Sequence, residues 1–504
     1  MTNKFFASLA SLVAFAPLTA DAQAQKKAEG PQKDKTNVLF IVCDDLNCDM
    51  GSWDDPIVKT PNLDRLRERA VRFNNAYCQF PLSGPTRASF LTGYSPERTG
   101  VMDLQANFRT RLPNCVTLPQ LFKENGYYVG RVGKVYHANV PADIGRDSKH
   151  EDNPSWTEKW NPIGKDKTEE DKTIITTPTL VRTAGPKKLI GGSVCWQMID
   201  CEDDELTDGI GANIACQLIR DHRHEPFFIA MGFYRPHSPY IATKKYFDMY
   251  PWQEMTLPEI PAGDMENKPL AALLTKEPHY GINTDEMKKA KAAYYAGISY
   301  FDAQIGKLLN QLEESGVADN TVIVFVGDNG YALGQHGQWQ KQLLFEHSAR
   351  IPLMIAAPGI TNGKLSYDHP VEQLDIYPTL ASLCGLNNVP DDLDGHDITD
   401  LLKDQSLPGQ GAAFTQQYRA GKGMKSLVSE PTMGYSIRTD RYRLVEWNEG
   451  AAGGELYDYE VDPNEYDNLY GNKKYAKIQK ELSERLRKYY SDLKEKAKGD
   501  VKYQ

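Results

Sequence analysis

The sequence contains little cysteine for its length, and the spacing of that cysteine excludes two kinds of site. Only 8 of 504 residues are cysteine, which is too few for a small scaffold held together by disulfides. The cysteines also lack the close paired spacing that is typical of structural zinc. One or two disulfides are compatible with this count, and the sequence does not indicate which cysteines would form them.

The chain also lacks a surplus of positive charge. It has 58 Lys and Arg against 68 Asp and Glu, for a formal net charge of -10. A surface that binds nucleic acid needs clustered basic residues, so we expect no nucleic-acid partner. An anionic substrate is still compatible with this balance, because a small basic pocket or a bound cation can set the local field.

Long apolar runs are missing except at the N-terminus. Lys4, the mostly apolar residues 5–18 and the small residues that follow predict a secretory signal peptide over residues 1–24. The alternative is an ordinary buried N-terminal helix. Residues 25–36 are polar and predict a disordered linker. Since no later run is long enough to span a membrane, we expect a periplasmic or secreted protein with no membrane insertion after signal cleavage.

Four short apolar runs predict buried parallel strands. They cover residues 37–43, 127–132, 226–232 and 321–326. Helical patterns lie between them, at residues 60–70 and 290–315. This alternation predicts an α/β fold with a mostly parallel sheet covered by helices on both faces.

Two further regions differ from this pattern. Residues 142–192 are charged and have no clear periodicity, so we predict an insertion on the sheet that is not a core element. After residue 420, residues 435–438 and 442–447 alternate like antiparallel strands, and residues 475–496 form a charged amphipathic helical pattern. We therefore predict a main domain over residues 37–420 and a small α+β subdomain with an antiparallel sheet over residues 421–504.

Polar groups follow each predicted parallel strand. Ligands of open α/β sheets bind beyond the carboxyl ends of the strands, so these groups are candidates for one site. In chain order they are Asp44 and Asp45, Lys134 and His137, His237, and Asp328 and Asn329. Each acidic pair alone could be a helix cap or a turn. Two pairs at two strand ends favour a metal site, and hard oxygen ligands suit Ca²⁺ or Mg²⁺ better than zinc.

The most specific motif is Ser83-Gly84-Pro85-Thr86-Arg87, which is followed by the residues ASFLTG at positions 88–93. Pro85 would end an extended approach, and a helix is predicted over residues 86–92 with Gly93 as its stop. Ser83 would then lie at a helix N-terminus, where backbone N–H groups favour an anion. Arg87, one turn later, could present its planar fork to the same oxyanion.

This motif resembles the signature of the formylglycine-dependent (type I) sulfatases, which reads Cys/Ser-x-Pro-Ser/Ala-Arg followed by Thr-Gly. The serine version is present here, with Thr86 where serine is usual. The resemblance covers most of the mature chain and implies an alkaline-phosphatase-like core. Within the family the likeness is greatest to the iduronate-2-sulfatase branch and to bacterial glycosaminoglycan 2-O-sulfatases, through residues 132–137, 332–337 and 433–439.

The resemblance also implies a role for each candidate residue. One Ca²⁺ ion would be held by a set of oxygen ligands, namely Asp44, Asp45, Asp328, Asn329 and the modified Ser83. Arg87 and His137 would support the modified residue. The sulfate oxygens would be bound by Lys134, His237 and Lys341, and His237 is also a candidate proton donor to the leaving alcohol.

The same resemblance implies a modification of Ser83. A serine-type formylglycine-generating maturase would oxidise the side chain to 3-oxoalanine, whose hydrated form would attack sulfur and later release sulfate. A plain serine is a weak nucleophile and would leave a sulfated enzyme without a route to regeneration. Ser83 is therefore predicted to be a precursor of the reactive group.

The predicted activity is hydrolysis of sulfate esters of sulfated oligosaccharides. The preferred hypothesis is exolytic 2-O-desulfation of a saturated or unsaturated uronic acid in heparin, heparan or chondroitin fragments. The alternatives are a phosphate-ester hydrolase of the same superfamily and an inactive relative that binds glycans. Cys78 is interpreted as structural, and His336 and His347 as either structural residues or supports for the residues of the site. Arg109, Arg111 and residues 142–192 are candidates by location for reading the uronate carboxylate.

Overall fold

The structure, a computed structural model, describes residues 35–176, 194–421 and 427–500. The predicted signal peptide and most of the predicted linker lie outside these residues, as do residues 177–193 of the insertion region. Among the described residues, no helix is long and apolar enough to cross a membrane.

Eighteen strands and twelve α-helices are found in the described ranges. The strands are β1 (Asn37–Asp44), β2 (Val71–Tyr77), β3 (Tyr128–Gly133), β4 (Glu158–Trp160), β5 (Ile174–Ile175), β6 (Cys195–Ile199), β7 (Phe227–Pro236), β8 (Tyr240–Thr243), β9 (Thr321–Gly327), β10 (Ala332–Leu333), β11 (Trp339–Gln340), β12 (Arg350–Ala356), β13 (Leu365–Tyr367), β14 (Val371–Glu372), β15 (Ala413–Arg419), β16 (Thr432–Arg438), β17 (Tyr442–Trp447) and β18 (Gly454–Asp458). The helices are α1 (Pro61–Arg67), α2 (Ser83–Thr92), α3 (Pro96–Thr99), α4 (Leu118–Glu124), α5 (Lys165–Thr168), α6 (Thr207–Asp221), α7 (Lys244–Phe247), α8 (Thr284–Glu314), α9 (Glu346–Ala349), α10 (Ile376–Leu383), α11 (Thr399–Lys403) and α12 (Ala476–Gly499).

The main sheet of the described chain has nine strands. Their order is β13-β2-β12-β9-β1-β7-β3-β4, and β14 pairs with β2. All neighbours in this sheet are parallel except for the two pairs that β12 forms, with β2 and with β9. The predicted mostly parallel sheet is therefore confirmed, and its four predicted strands correspond to β1, β3, β7 and β9.

Helices cover both faces of this sheet. Strand β1 alternates its side chains between two hydrophobic clusters, with Leu39 and Ile41 in one and Phe40 and Val42 in the other. The first cluster is closed by α1, α6 and α8, and the second by α2, α4 and α10. Each strand residue in the middle of the sheet is buried, which explains why the predicted strands are continuous apolar runs.

The predicted insertion contributes one short strand to the edge of the main sheet, and the residues of this strand are half-buried or exposed. Strand β4 pairs in parallel with β3 at the sheet edge, with Val132 opposite Trp160. A three-residue strand carries too short an apolar pattern to be recognised against its charged surroundings.

A separate antiparallel sheet lies toward the C-terminus. Its order is β15-β16-β17-β18, and helix α12 packs on it through Leu482, Leu486, Tyr490 and Leu493. The first strand, Ala413–Arg419, lies before the predicted boundary at residue 420, and the division into two domains stays a prediction. The eight cysteines all lie in described residues, and none of them forms a disulfide.

Candidate active site

Three buried carboxylates meet at the carboxyl ends of β1 and β9. Asp44 ends β1, Asp45 directly follows it, and Asp328 follows β9. One oxygen of each carboxylate lies within 4.8 Å of the others. The two strands are parallel neighbours with Cys43 opposite Gly327, so their next residues leave the sheet side by side. The sheet register thus accounts for the cluster.

Asn329 completes the set of oxygen atoms. Its Nδ2 donates to Asp45 Oδ1 at 3.0 Å and to the carbonyl of Gly330 at 2.9 Å. Its Oδ1 is buried and has no hydrogen-bond partner in the described part of the chain. A buried amide oxygen without a donor is unfavourable, and a cation beside the three carboxylates would be a suitable partner. Three carboxylates and one amide oxygen are hard ligands, so these residues fit Ca²⁺ or Mg²⁺.

Ser83 is the first residue of α2, three residues earlier than the predicted helix start. Its Oγ donates to Asp44 Oδ1 at 3.0 Å and lies 3.4 Å from Lys341 Nζ. The helix ends as predicted at Gly93, whose φ of 75° is left-handed. The helix therefore places Ser83 directly against the acidic cluster.

The guanidinium of Arg87 is directed at protein groups. Its Nε donates to Asp328 Oδ2 at 2.8 Å, and one terminal nitrogen donates to the carbonyls of Lys134 and Val135 at 2.6 and 2.9 Å. The other terminal nitrogen lies 3.4 Å from Asp44 Oδ1. The expectation that this fork is presented to the same oxyanion as Ser83 does not match these contacts. Instead, Arg87 joins the two strand ends to the segment that follows β3.

Two lysines add positive charge next to the carboxylates. Lys134 is bonded to Asp44 Oδ2, and Lys341 Nζ donates to Asp45 Oδ1 at 2.5 Å. Burial alone would raise the pKa of Asp44, but Lys134, His237 and Arg87 together hold that pKa well below its usual range. Asp44 therefore stays an anion inside the protein.

The other two carboxylates are less strongly compensated. Burial raises the pKa of Asp45, although Lys341 opposes this effect. Burial also raises the pKa of Asp328 to about 6, against the charge of Arg87. A bound divalent cation would favour the ionised form of both groups.

His237 lies on the loop after β7. Its Nδ1 donates a hydrogen bond to the carbonyl of Ser238 at 2.5 Å, because a carbonyl can only accept. Its Nε2 lies 3.5 Å from Asp45 Oδ2. Arg235 fixes this loop by donating to the carbonyls of His237 and Pro239 at 3.2 and 2.8 Å. Burial lowers the pKa of His237 well below its usual value, and the charge of Lys341 adds to this effect.

His137 is also buried at this edge of the sheet. Neither of its ring nitrogens has a hydrogen-bond partner among the described residues. Burial lowers its pKa well below the usual value, with further contributions from Lys134 and His150. The imidazole is therefore neutral and available to a group that is added to the site.

A buried pair that the sequence analysis missed connects the Ser83 motif to β9. Thr86 Oγ1 donates to Gln373 Oε1 at 2.5 Å, and Gln373 Nε2 donates to the carbonyl of Gly327 at 2.9 Å. The partners are 287 residues apart, so no local pattern indicates the contact. The only sign of this contact in the sequence is the Thr86 hydroxyl, which lies in the motif itself.

Three other candidates have structural contacts. Arg109 forms a two-point pair with Asp152 at 2.8 and 2.9 Å, and Arg111 donates to the carbonyl of Ala497 at 3.1 Å. These contacts explain both arginines without a substrate. Cys78 is buried, which raises the pKa of its thiol and suits a structural residue.

Comparisons with known proteins agree with this geometry. The profile of the family described as Sulfatase matches residues 36–386, and that of N-sulphoglucosamine sulphohydrolase, C-terminal, matches residues 334–492. Iduronate 2-sulfatase of Homo sapiens is 31% identical over 518 residues, which cover 87% of this chain and 92% of that protein. Delta 4,5-hexuronate-2-O-sulfatase of Bacteroides thetaiotaomicron is 27% identical over 473 residues, with 90% and 88% covered.

A solved structure shows the same fold. The structure described as a 2-O GAG sulfatase superposes with a TM-score of 0.68 at 24% identity, and the match covers 92% of this chain and 94% of that chain. The cluster at the carboxyl ends of β1 and β9 therefore lies in the same fold as that structure.

Proposed function

The chain belongs to the sulfatase family, and from that premise we propose that it is an exolytic 2-O-sulfatase of uronic acids in sulfated glycosaminoglycan fragments. As a family member it is a hydrolase of sulfuric esters. The proposal goes further by specifying the position of the ester, the sugar that carries it and the residues that act.

One observation carries the proposal. Ser83, the first residue of the Ser-x-Pro-x-Arg motif, has its Oγ 3.0 Å from Asp44 in a cluster of three buried carboxylates. A hydroxyl at a helix N-terminus beside a hard-ligand cluster is the arrangement that hydrolysis of an anionic ester needs. The names of the two relatives given above support a 2-O-sulfated uronate as the substrate.

We infer that Asp44, Asp45, Asp328, Asn329 and the modified Ser83 hold one Ca²⁺ ion. A bound Ca²⁺ would polarise the sulfate group and stabilise the anionic form of the attacking hydroxyl. The orphan Oδ1 of Asn329 supports this set of ligands. Arg87 would keep the carboxylates of Asp44 and Asp328 in place through its bonds to both.

The reactive group is proposed to be formylglycine made from Ser83 by a serine-type maturase. Its hydrate supplies one hydroxyl for attack on sulfur and a second whose deprotonation expels sulfate, so the aldehyde is restored. Lys341 Nζ, 3.4 Å from Ser83 Oγ, is placed to neutralise the charge of this group and of the sulfate.

The remaining polar groups are proposed to bind the sulfate and the modified residue. Lys134 and His237 face the same carboxylates as Ser83 and would contact sulfate oxygens. To donate a proton to the leaving alcohol, His237 must carry a proton on Nε2 in addition to the one on Nδ1, and an adjacent sulfate anion favours that form. His137, with two unpartnered nitrogens, would hydrogen-bond the hydrate.

The proposal includes the organisation of the chain. Residues 1–24 would be a signal peptide that directs export to the periplasm or beyond, and residues 25–36 a linker. Residues 37–420 would form the catalytic domain and residues 421–504 a C-terminal subdomain. N-terminal sequencing of the exported protein would test the cleavage site.

The test of the activity is a comparison of sulfated disaccharides. Protein purified from a host with a serine-type maturase should release sulfate from an unsaturated 2-O-sulfated disaccharide and not from 6-O- or N-sulfated ones. The Ser83→Ala protein is the matched control and should release none. Release from only the 6-O- or N-sulfated substrates would overturn the 2-O specificity.

A further inference from the structure

One buried arginine of the described chain forms no ion pair, and the buried carboxylate of Glu455 acts on it only from beyond ion-pair distance. Arg419, at the end of β15, is 3% exposed. Its Nε donates to the carbonyl of Ala271 at 2.9 Å, and both terminal nitrogens are buried without a hydrogen-bond partner. The five arginines that rank among the largest fully buried side chains each form an ion pair, namely Arg87, Arg98, Arg131, Arg235 and Arg443. A buried unpaired guanidinium is strongly unfavourable, so an anion from outside the described chain is its natural partner.

A second unpartnered donor lies within electrostatic range of Arg419. The hydroxyl of Tyr280 is buried and has no hydrogen-bond partner in the described ranges. Burial raises the pKa of this hydroxyl, and the charge of Arg419 opposes the rise. Tyr280 as a whole is only partly buried. Two residues before Arg419, Gln417 Oε1 is a buried acceptor without a donor.

Strand β15, which ends at Arg419, runs beside the segment that leads into Ser83. Thr415 Oγ1 donates to the carbonyl of Cys78 at 2.8 Å, and the N–H of Gln416 donates to that of Gln79 at 2.9 Å. Strand β15 therefore runs in the same direction as the segment that leads into Ser83. Arg419 lies three residues beyond Gln416 in this direction, and Ser83 lies four residues beyond Gln79.

The segment around Tyr280 is joined to the same site through the β10–β11 hairpin. Trp339 Nε1 donates to Nδ1 of His279, the neighbour of Tyr280, at 3.2 Å. Two residues after Trp339, Lys341 approaches Ser83 Oγ. The two unpartnered donors thus belong to the structural unit that also delivers a lysine to the candidate sulfate site.

We propose that Arg419 and the Tyr280 hydroxyl bind the carboxylate of the uronic acid whose sulfate is hydrolysed. This inference rests on the proposed function and identifies the residues that recognise the carboxylate of the substrate. A planar guanidinium with two free terminal nitrogens matches a carboxylate in two parallel hydrogen bonds, the tyrosine supplies a third donor, and Gln417 can accept from a sugar hydroxyl. A neutral sugar in the same place would leave the guanidinium unpaired, so the site discriminates against it.

A purely structural role makes a different prediction. The guanidinium carbon of Arg419 lies 5.4 Å from the centre of the Trp447 ring, and packing on that ring could be its only use. Substitutions would then lower stability without changing the preference for an acidic sugar.

Binding can be measured without turnover. The ligands are the unsaturated uronate disaccharide that lacks sulfate and its carboxyl-reduced counterpart, titrated calorimetrically into the full-length protein. The unsubstituted protein should bind the acid at least about tenfold more tightly. Tyr280→Phe, which removes a hydroxyl that has no protein partner, should weaken binding of the acid about fivefold and leave the reduced sugar unchanged. Arg419→Gln should remove the preference, and Arg419→Lys should retain part of it.

The control is Arg441→Gln, which removes a partly exposed arginine that directly precedes β17 in the same sheet and is paired with Asp458. It should not alter the preference. Equal binding of both sugars by the unsubstituted protein, or an unchanged preference in Tyr280→Phe and Arg419→Gln, would overturn the proposal. Binding of the acid as predicted without hydrolysis of the 2-O-sulfated disaccharide would overturn the proposed function and leave this site standing. If Arg419→Gln does not fold, Tyr280→Phe decides the outcome.

Discussion

At the scale of single residues, Arg87 has a role that its motif alone does not reveal. Its guanidinium makes four hydrogen bonds, to Asp328, Asp44 and two backbone carbonyls. It is fully buried, so replacing it would leave the buried Asp328 without its paired cation and Asp44 with only its other cationic neighbours. Arg87 is therefore better described as a residue that holds the acidic cluster together than as one that binds the substrate directly.

Thr86, the motif position where the family usually has serine, should tolerate serine and not valine. Thr86→Val keeps the shape but leaves the buried Gln373 Oε1 without its donor, which we expect to lower the free energy of unfolding by about 1–3 kcal/mol. Thr86→Ser keeps the hydroxyl and should lose less than half of that. Chemical denaturation measures both. Equal stability of the valine and threonine proteins would show that the Thr86–Gln373 contact does not hold α2 against β9.

Asn329 should contribute to cation binding through its unpartnered Oδ1. Asn329→Ala should reduce the affinity for Ca²⁺ by about tenfold or more, because one of few protein ligands is removed. The measurement is the rise in melting temperature with added Ca²⁺, which follows from preferential binding to the folded state. Asn310→Ala on the exposed face of α8 is the control. An undiminished rise in Asn329→Ala would remove this residue from the ligand set.

The sequence identifies site residues well where the chemistry is carried by a local motif. Asp44, Asp45 and Asp328 are found because they follow apolar runs, and the structure brings them together. Gln373 and Arg419 are not found, because a glutamine after a two-residue strand and an arginine at a strand end are ordinary in sequence. Gln373 matters because it bonds to the distant Thr86, and Arg419 matters because its terminal nitrogens have no hydrogen-bond partner among the described residues.

At the scale of elements, the β10–β11 hairpin leads into Lys341 of the site and is held in place by residues outside the hairpin. Gln338 Oε1 accepts from the N–H groups of Leu274 and Thr275 at 2.8 and 3.2 Å. His336 Nδ1 lies 3.0 Å from Asp264 Oδ2. These contacts fix a short hairpin that has only two residue pairs of its own. The interpretation of His336 as a structural residue or a support for the site agrees with this position.

Loosening the hairpin should impair catalysis from a distance. Gln338→Leu leaves two buried N–H groups without an acceptor and should displace Lys341, lowering kcat/KM about tenfold. Steady-state kinetics on the 2-O-sulfated disaccharide, normalised to the formylglycine content, checks this. Lys276→Ala, an exposed change in the segment that Gln338 contacts, should behave like the unsubstituted protein. A full kcat/KM in Gln338→Leu would mean that Lys341 is positioned without the hairpin's anchor.

Elements are predictable from sequence in proportion to their length and burial. The four predicted strands agree with β1, β3, β7 and β9 within a few residues, because strands buried on both faces are uninterrupted apolar runs. Helix α8 extends further toward the N-terminus than predicted, since its first turns are polar and Asn283 caps them through the N–H of Glu286. Strand β4 and the β10–β11 hairpin are too short for a periodic pattern.

At the scale of the whole molecule, Glu346 connects the main sheet to the C-terminal sheet. It accepts from Tyr77 OH at 2.9 Å and is bonded to Arg443 of β17. Burial would raise its pKa, but Arg443, Arg438 and Arg350 lower it to about 2. The ionised glutamate is therefore favoured in the folded protein.

This glutamate should make stability depend on pH in the acid range. Because its folded pKa lies below the ordinary value of about 4.3, its contribution is present above that value and is lost as the pH falls toward 2. Glu346→Gln should lower the free energy of unfolding by about 2–4 kcal/mol at pH 7, and the difference from the unsubstituted protein should shrink between pH 5 and pH 2. Denaturation over that range measures it.

The control is Glu460→Gln, which removes an exposed partner of Arg441 and should change stability by less than about 1 kcal/mol. A difference for Glu346→Gln that stays constant from pH 7 to pH 3 would contradict the assignment. It would indicate that shape rather than charge matters at this junction.

The central claim is that Ser83 is converted to formylglycine in an active sulfatase, and the mass of the Ser83 peptide tests it most directly. The peptide should be isolated from protein that hydrolyses the 2-O-sulfated disaccharide, produced in a host with a serine-type maturase. Conversion to formylglycine predicts a peptide lighter by two hydrogens, with activity proportional to its fraction. Full activity in protein whose Ser83 peptide is entirely unmodified would contradict this conversion as the basis of the activity.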